Sequence, residues 1–143
     1  MQHIERDKSI SEWNVLGRNY LPGYLGIEII SIHSDESHLI MTVQQNLMAP
    51  NGFLHAASIV ALADSACGYG VMNNLPENSS GFTTIELKTN FLGTLLEGDL
   101  DCIARAVHKG RTTQVWDAEV FAHETKKKIA LFRCTQMILW PNH

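Results

Sequence analysis

What this chain lacks narrows its functions before any motif is considered. No apolar run reaches the roughly 18 residues of a membrane span. Basic residues are in the minority, 11 Lys and Arg against 15 Asp and Glu, with a formal net charge of −4. Nothing in that balance invites nucleic acid or an anionic membrane surface. The three cysteines, Cys67, Cys102 and Cys134, form no C-x-x-C pair; an odd count of this kind reads as reduced, buried thiols in the cytoplasm. The seven histidines show no i,i+4 pair and no cysteine partner at ligand spacing, so no metal is expected. A Gly-x-Ser-x-Gly elbow, a phosphate loop and a dinucleotide fingerprint are all missing, so no cofactor is expected. The opening Met1–Lys8 mixes charges without an apolar core and is not expected to be a signal peptide. With no repeat, linker or low-complexity tract, 143 residues at 45% hydrophobic suit one domain, 1–143.

What is present is organised around one stretch, residues 51–70, which runs on to about Met72. It opens on a turn signal, Pro50-Asn51-Gly52, and continues in small apolar residues. Ala57, Val60, Ala61 and Asp64 fall on one helical face; Ile59, Leu62, Ala66 and Tyr69 fall on another. A helix apolar on nearly every side is expected to be buried. It carries a single carboxylate, Asp64, with no basic residue between His55 and Lys88. A lone buried charge costs several kcal/mol, on the order of 3–5 where a partner is missing. Asp64 is therefore either a reactive group or an Asp that caps a break or bonds to neighbouring hydroxyls.

Around that helix the chain reads as a short N-terminal helix, 9–20, capped by Ser9 or Ser11 and ended by Leu21-Pro22-Gly23. Strands are expected at 24–32 and 38–43, joined by a turn at 34–37. Four more follow the helix, at 82–92, 98–108, 112–121 and 129–140, with a two-residue turn at Lys109-Gly110. In the first of these, Thr83, Ile85, Leu87, Thr89 and Phe91 are expected to share a face. An antiparallel sheet wrapped around the one long helix is the economical α+β arrangement.

Gly52, His55-Ala56-Ala57 and Leu62-Ala63-Asp64, with the carboxylate nine residues after the His, resemble the signature of hotdog-fold acyl-CoA thioesterases. The branch they are most similar to is the PaaI type of the 4-hydroxybenzoyl-CoA thioesterase superfamily. The likeness continues through Thr84–Phe91 and Gly110–Trp116 and covers nearly the whole chain beyond the first twenty residues. The family pattern has a Gly pair where this chain has Ala56-Ala57, and many relatives carry Asn or Gln where this chain has Ala49. Asn51, two residues on, is the candidate substitute.

The resemblance implies a hotdog fold and hydrolysis of an acyl- or aryl-CoA to the free acid and CoA. Asp64 would act as base or nucleophile. The Ala56 amide would hold the oxyanion at the helix N-terminus, where unpaired N–H groups favour negative charge, and His55 would face the thioester. The other reading of His55 is a histidine that caps the helix and fixes the loop. Some thioesterases place a Ser or Thr one turn after the carboxylate; here that residue is Gly68, which makes room for an acyl group or for sheet packing. Arg105, His108, Lys109 and Arg111 cluster on one hairpin, with Arg133 on the last strand. Of these Arg111 is nominated for the phosphates of CoA, and Lys109 reads as a solvated tip. The substrate-binding candidates are thus Asn51, Gly52, Gly68 and Arg111. Competing functions are a non-catalytic acyl-CoA binder and a hotdog hydratase or dehydratase.

His55 and Asp64 are nine residues apart, which on a helix puts them about 13 Å apart along the axis and roughly on opposite sides. One helix cannot easily aim both at one thioester, whereas two copies across a two-fold axis can. The resemblance implies the same: a homodimer with shared sites, which pairs again into a homotetramer.

Overall fold

The computed structural model describes residues 8–142. The expected absence of a signal peptide at the N-terminus, and His3 and His143, lie outside these residues. Helix α1, Ile10–Gly17, opens on a capping box. The Glu12 amide donates to Ser9 Oγ at 3.2 Å, and the Ser9 amide donates back to Glu12 Oε1 at 3.4 Å. A one-turn helix α2, Leu21–Tyr24, comes next, with Pro22 in its first turn, where a missing N–H costs nothing. This corrects the expected helix at 9–20 and the expected strand start at Tyr24. Gly26, at φ +72°, turns the chain out of α2, and β1 begins only at Glu28.

Strands β1 (Glu28–His33), β2 (Glu36–Thr42), β3 (Gly81–Phe91), β4 (Asp99–Lys109), β5 (Thr113–Ala122) and β6 (Lys128–Leu139) form one antiparallel sheet. Its order is β1-β2-β4-β5-β6-β3. His33 pairs with Glu36, so the first turn is Ser34-Asp35 alone. In the β4–β5 hairpin the Gly110 amide bonds the Thr113 carbonyl at 2.8 Å. The tip is therefore Arg111-Thr112 rather than Lys109-Gly110.

Helix α3, Ala56–Met72, lies across the inner face of this sheet. Ile59, Leu62, Ala63, Ala66, Cys67 and Val71 are buried against Leu39, Met41, Leu100, Cys102, Trp116 and Phe132. Gly70 sets the closeness of that packing, since a Cβ there would stand 2.5 Å from the Trp116 ring. The Ser37 hydroxyl donates to the Ala66 carbonyl at 2.6 Å, so a polar residue on the inner face is also satisfied.

Two features depart from the sequence pattern, and both shape the site. Burial of α3 on every side does not hold. The stripe Ala56, Ala57, Val60, Ala61, Asp64, Ser65 and Gly68 is partly or fully open, because the sheet covers only the opposite side. The simple alternation of β3 is also broken, by a bulge at Ile85 between Thr84 and Glu86. Before it Phe82 and Thr84 oppose the buried Ile138 and Gln136; after it Leu87, Thr89 and Phe91 oppose Cys134, Phe132 and Ala130. The extra residue swaps which parity faces the helix. It turns Phe82 and Thr84 inward and takes Thr83 and Ile85 off the face on which they were expected.

On the outer face Asp101 is only 2% exposed. Its Oδ1 meets His38 Nε2 and its Oδ2 meets His123 Nδ1, each at 2.6 Å. Burial raises the carboxyl pKa, but the two imidazole bonds outweigh it and hold Asp101 below the usual carboxylate range. A folded-state pKa that is depressed adds stability above the unfolded value, near 3.9, and loses it as pH falls through the folded value. Asp101→Asn is expected to cost roughly 1.5–3 kcal/mol at pH 7. Urea melts at pH 7 and pH 3 should show the gap between wild type and variant narrowing at the lower pH; an unchanged gap would contradict this.

Candidate active site

The segment before α3 is tied down locally. Met48 and Leu54 form a β-bridge, the Ala49 amide donates to the Phe53 carbonyl at 2.7 Å, and the Gly52 amide donates to the Ala49 carbonyl at 3.0 Å. Gly52 takes φ +90°, a conformation side chains rarely adopt. Asn51 Oδ1 accepts the Phe53 amide at 3.2 Å, closing an Asx turn. Asn51 and Gly52 thus shape the approach to the helix, and the Asn51 oxygen is engaged in the turn.

His55 is the N-cap of α3, with Nδ1 accepting the Ala57 amide at 2.9 Å. An imidazole that accepts at Nδ1 and is neutral carries its proton on Nε2, so the ring keeps a donor on its other edge. The cap and a role facing substrate are compatible, because they use different nitrogens. Ala56 is the first helical residue. It is exposed, and its amide has no acceptor among the described residues.

Asp64 sits two turns further on and lines a pocket of about 280 Å³ with Leu16, Gly17, Tyr20, Met72 and Phe82. It neither breaks nor caps the helix, and Oδ1 is buried with no hydrogen-bond partner among the described residues. Burial alone pushes its carboxyl above the usual value. The alternative of an Asp held by local hydroxyls is thereby corrected. Gly68 opens onto the same pocket, where a Cβ would meet Phe82 only at 3.8 Å, an ordinary contact. Of the two reasons for a glycine here, room in the pocket belongs to Gly68 and close sheet packing to Gly70.

The cationic cluster separates by its partners. Arg105 pairs with Glu36, Lys109 with Asp35, and Arg133 bonds Asp117 through two nitrogens at 2.5 and 2.8 Å. Lys109 is thus an ion-pair partner rather than a free solvated tip. Arg111 has no carboxylate partner among the described residues and lies 4.7 Å over the Trp140 ring, while Trp140 Nε1 donates to the Arg111 carbonyl at 3.0 Å. Asp64 and Gly68 come together in one pocket; His55 caps the helix that Ala56 begins, and Arg111 stands on the hairpin tip.

Sequence reasoning missed part of the pocket wall. Pro22, which reads in the sequence only as part of a stop signal, lines the pocket too. Thr84, bonded to Gln136 at 2.9 Å, lines the pocket because of the bulge. No signal in the sequence marks that bulge.

The sequence profile of the thioesterase superfamily matches residues 51–129. The chain is 31% identical over 111 residues to a 1,4-dihydroxy-2-naphthoyl-CoA hydrolase of Listeria monocytogenes, covering 78% of this chain and 89% of that protein. It is also 31% identical over 112 residues to the acyl-coenzyme A thioesterase PaaI of Escherichia coli, covering 76% and 75%. Among solved structures, a thioesterase from Haemophilus influenzae superposes with a TM-score of 0.86 at 26% identity, covering 93% of this chain and 92% of that one.

A carboxyl whose pKa is raised on folding adds stability below its unfolded value and loses it as pH rises through the folded one. As pH rises the buried Asp64 therefore becomes a burden on the fold. Asp64→Asn is expected to be at least as stable as wild type in urea at pH 7. A loss above about 1 kcal/mol, the scale of a typical lost hydrogen bond, would mean that Asp64 has a structural partner.

Proposed function

The chain belongs to the thioesterase superfamily, and from that premise we propose that it hydrolyses the thioester of an acyl- or aryl-CoA to the free acid and CoA. The observation that carries the reading is the Asp64 carboxylate, without a hydrogen-bond partner among the described residues, in an apolar pocket on the open stripe of α3. A carboxylate short of solvation is a stronger base and nucleophile than one in water. As base, Asp64 takes a proton from water while the oxygen bonds to the acyl carbon. As nucleophile, it bonds that carbon itself and forms an anhydride that water then opens. In both routes the carbon–sulfur bond breaks and the CoA sulfur leaves with the electron pair, to be protonated. The Ala56 amide and the α3 N-terminus stabilise the oxyanion, and the Nε2 proton of His55 is a second donor.

Asp64 and the α3 N-terminus of one chain are too far apart to act on one thioester, so each site takes His55 and Ala56 from one subunit and Asp64 from another. Support comes from the far edge of the sheet. Strand β3 is eleven residues long and among the described residues pairs only with β6, and Ile85, Leu87 and Phe91 on it are 51%, 43% and 47% exposed. A long apolar edge of this kind is a template for pairing. A second copy joined there would also cover the open stripe of α3. Arg111 takes a phosphate of CoA from the hairpin tip. Cys67, Cys102 and Cys134 are buried and unbridged, which supports a reducing compartment such as the cytoplasm.

Thiol release over a panel of acyl-CoAs tests this reading. Asp64→Ala is expected to lower turnover at least about a hundredfold; near-normal turnover on the best substrate would overturn the assignment, and binding without release in wild type would make the protein a binder. Arg111→Ala is expected to raise KM for acyl-CoA by about tenfold or more, on the scale of one charge-assisted bond. The matching acyl-pantetheine, which lacks the nucleotide, should be little affected. Equal effects on both would make the hairpin structural only.

A further inference from the structure

Arg111 is held differently from the other cations of its neighbourhood. Arg105, Lys109 and Arg133 each direct N–H groups at a carboxylate. Arg111 lies instead over the Trp140 ring, its guanidinium carbon 4.7 Å from the centroid. Lys8 over Trp13 and Lys126 over Phe121 stand further off, each at 5.7 Å. An arginine presents its N–H donors in the plane of the guanidinium. An aromatic ring attracts the cation through its π face and takes none of those donors as a carboxylate does. The contact that holds Arg111 therefore leaves it able to bind an anion.

The fold fixes Trp140 in turn. Strand β6 ends at Leu139, which pairs with Gly81 and whose carbonyl accepts the Ser80 amide at 2.8 Å. Trp140 is the next residue, and Pro141 restricts φ just beyond it. From this end of β6 the Ile138 amide donates to the Thr112 carbonyl at 2.9 Å, and the Trp140 indole donates to the Arg111 carbonyl at 3.0 Å. Both residues of the hairpin tip are thus bonded from the last strand and its extension. Trp140 holds Arg111 at two points, the backbone through its N–H and the guanidinium through its ring. The tryptophan is half-buried, whereas the arginine it holds is exposed.

Connections of this kind are ordinarily mobile. A long side chain that must be ordered at the moment of binding weakens that binding, and one ordered beforehand does not. We propose that Trp140 is a positioning residue for the nucleotide end of the substrate, holding Arg111 by backbone and guanidinium so that the arginine meets a phosphate of CoA already in place. Its effect falls on capture of the nucleotide and not on cleavage of the thioester. A tryptophan that only closed the end of the sheet would instead affect all substrates alike.

This inference rests on the hydrolysis reading and on the place it gives Arg111, and its test separates them. KM and kcat are compared for one acyl-CoA and the matching acyl-pantetheine, in wild type, Trp140→Leu, Arg111→Ala and the double variant. Trp140→Leu removes the ring and its N–H but keeps apolar bulk. It is expected to raise KM for acyl-CoA about three- to tenfold, the scale of one cation–π contact, and to leave kcat and the acyl-pantetheine values within about twofold of wild type. Added to Arg111→Ala, it is expected to raise KM by less than about 1.5-fold more, because it acts through that arginine. Trp140→Phe, which keeps an aromatic face, is expected to lie closer to wild type than Trp140→Leu does. If Trp140→Leu does not fold, Trp140→Met takes its place. No loss, equal losses on both substrates, a change in kcat alone, or a loss undiminished in Arg111→Ala overturns the proposal. If wild type releases no thiol from any acyl-CoA, the hydrolysis reading fails. Calorimetric titration of CoA into the same four proteins then decides the inference alone: a Trp140-dependent affinity that vanishes in Arg111→Ala upholds it, and equal affinities or independent losses overturn it.

Discussion

An ionisable carboxylate placed in a helix with no partner is the constraint on which the rest of this structure depends. Asp64 takes no hydrogen bond from a described residue, and burial shifts its pKa upward. Such a group is tolerated only where the fold leaves it some access to solvent or substrate. The sheet meets that condition by covering one side of α3 and leaving the stripe from Ala56 to Gly68 open. The pocket lies on that uncovered side, where Asp64 and Gly68 line it.

The covered side holds the helix in place so that the open side keeps its shape. Gly70 lets α3 approach the Trp116 ring closely, and Ser37 and Ser58 bond backbone carbonyls of Ala66 and Leu47. His55 fixes the start of the helix with one ring nitrogen and leaves the other as a donor. The residues proposed to act on substrate and the residues that anchor the helix therefore share one element. Their tasks divide by face rather than by position along the chain.

Much of this was legible in the sequence, for identifiable reasons. The run of small apolar residues located the end of α3 at Met72, though the stretch opened at 51 and the helix starts at Ala56, and alternation located the four later strands. Asp64 stood out because it was the one charge in an apolar run. What was hidden depended on pairing between distant segments. The bulge at Ile85 adds one β-branched residue to a strand already rich in them, so composition gives no mark of it, yet it decides that Thr84 lines the pocket. His38, Asp101 and His123 are scattered along the chain and meet only through strand register. The open stripe of α3 looked buried because alanine suits a core and an interface equally well. Arg111 was picked from a cluster of cations by resemblance. The structure adds a physical reason, since the carboxylates opposite Arg105, Lys109 and Arg133 occupy those three.

The central claim is that each catalytic site is built from two chains, and refolding a mixture of two inactive variants tests it directly. Asp64→Ala and His55→Ala, each first shown to be poorly active, are unfolded together and refolded. Random pairing makes about half of the dimers mixed, and each mixed dimer holds one site with both residues intact. Shared sites predict recovery of roughly a quarter of wild-type activity. A mixture as inactive as its components, with mixed dimers demonstrated by mass spectrometry, would contradict the account and place each site within one chain.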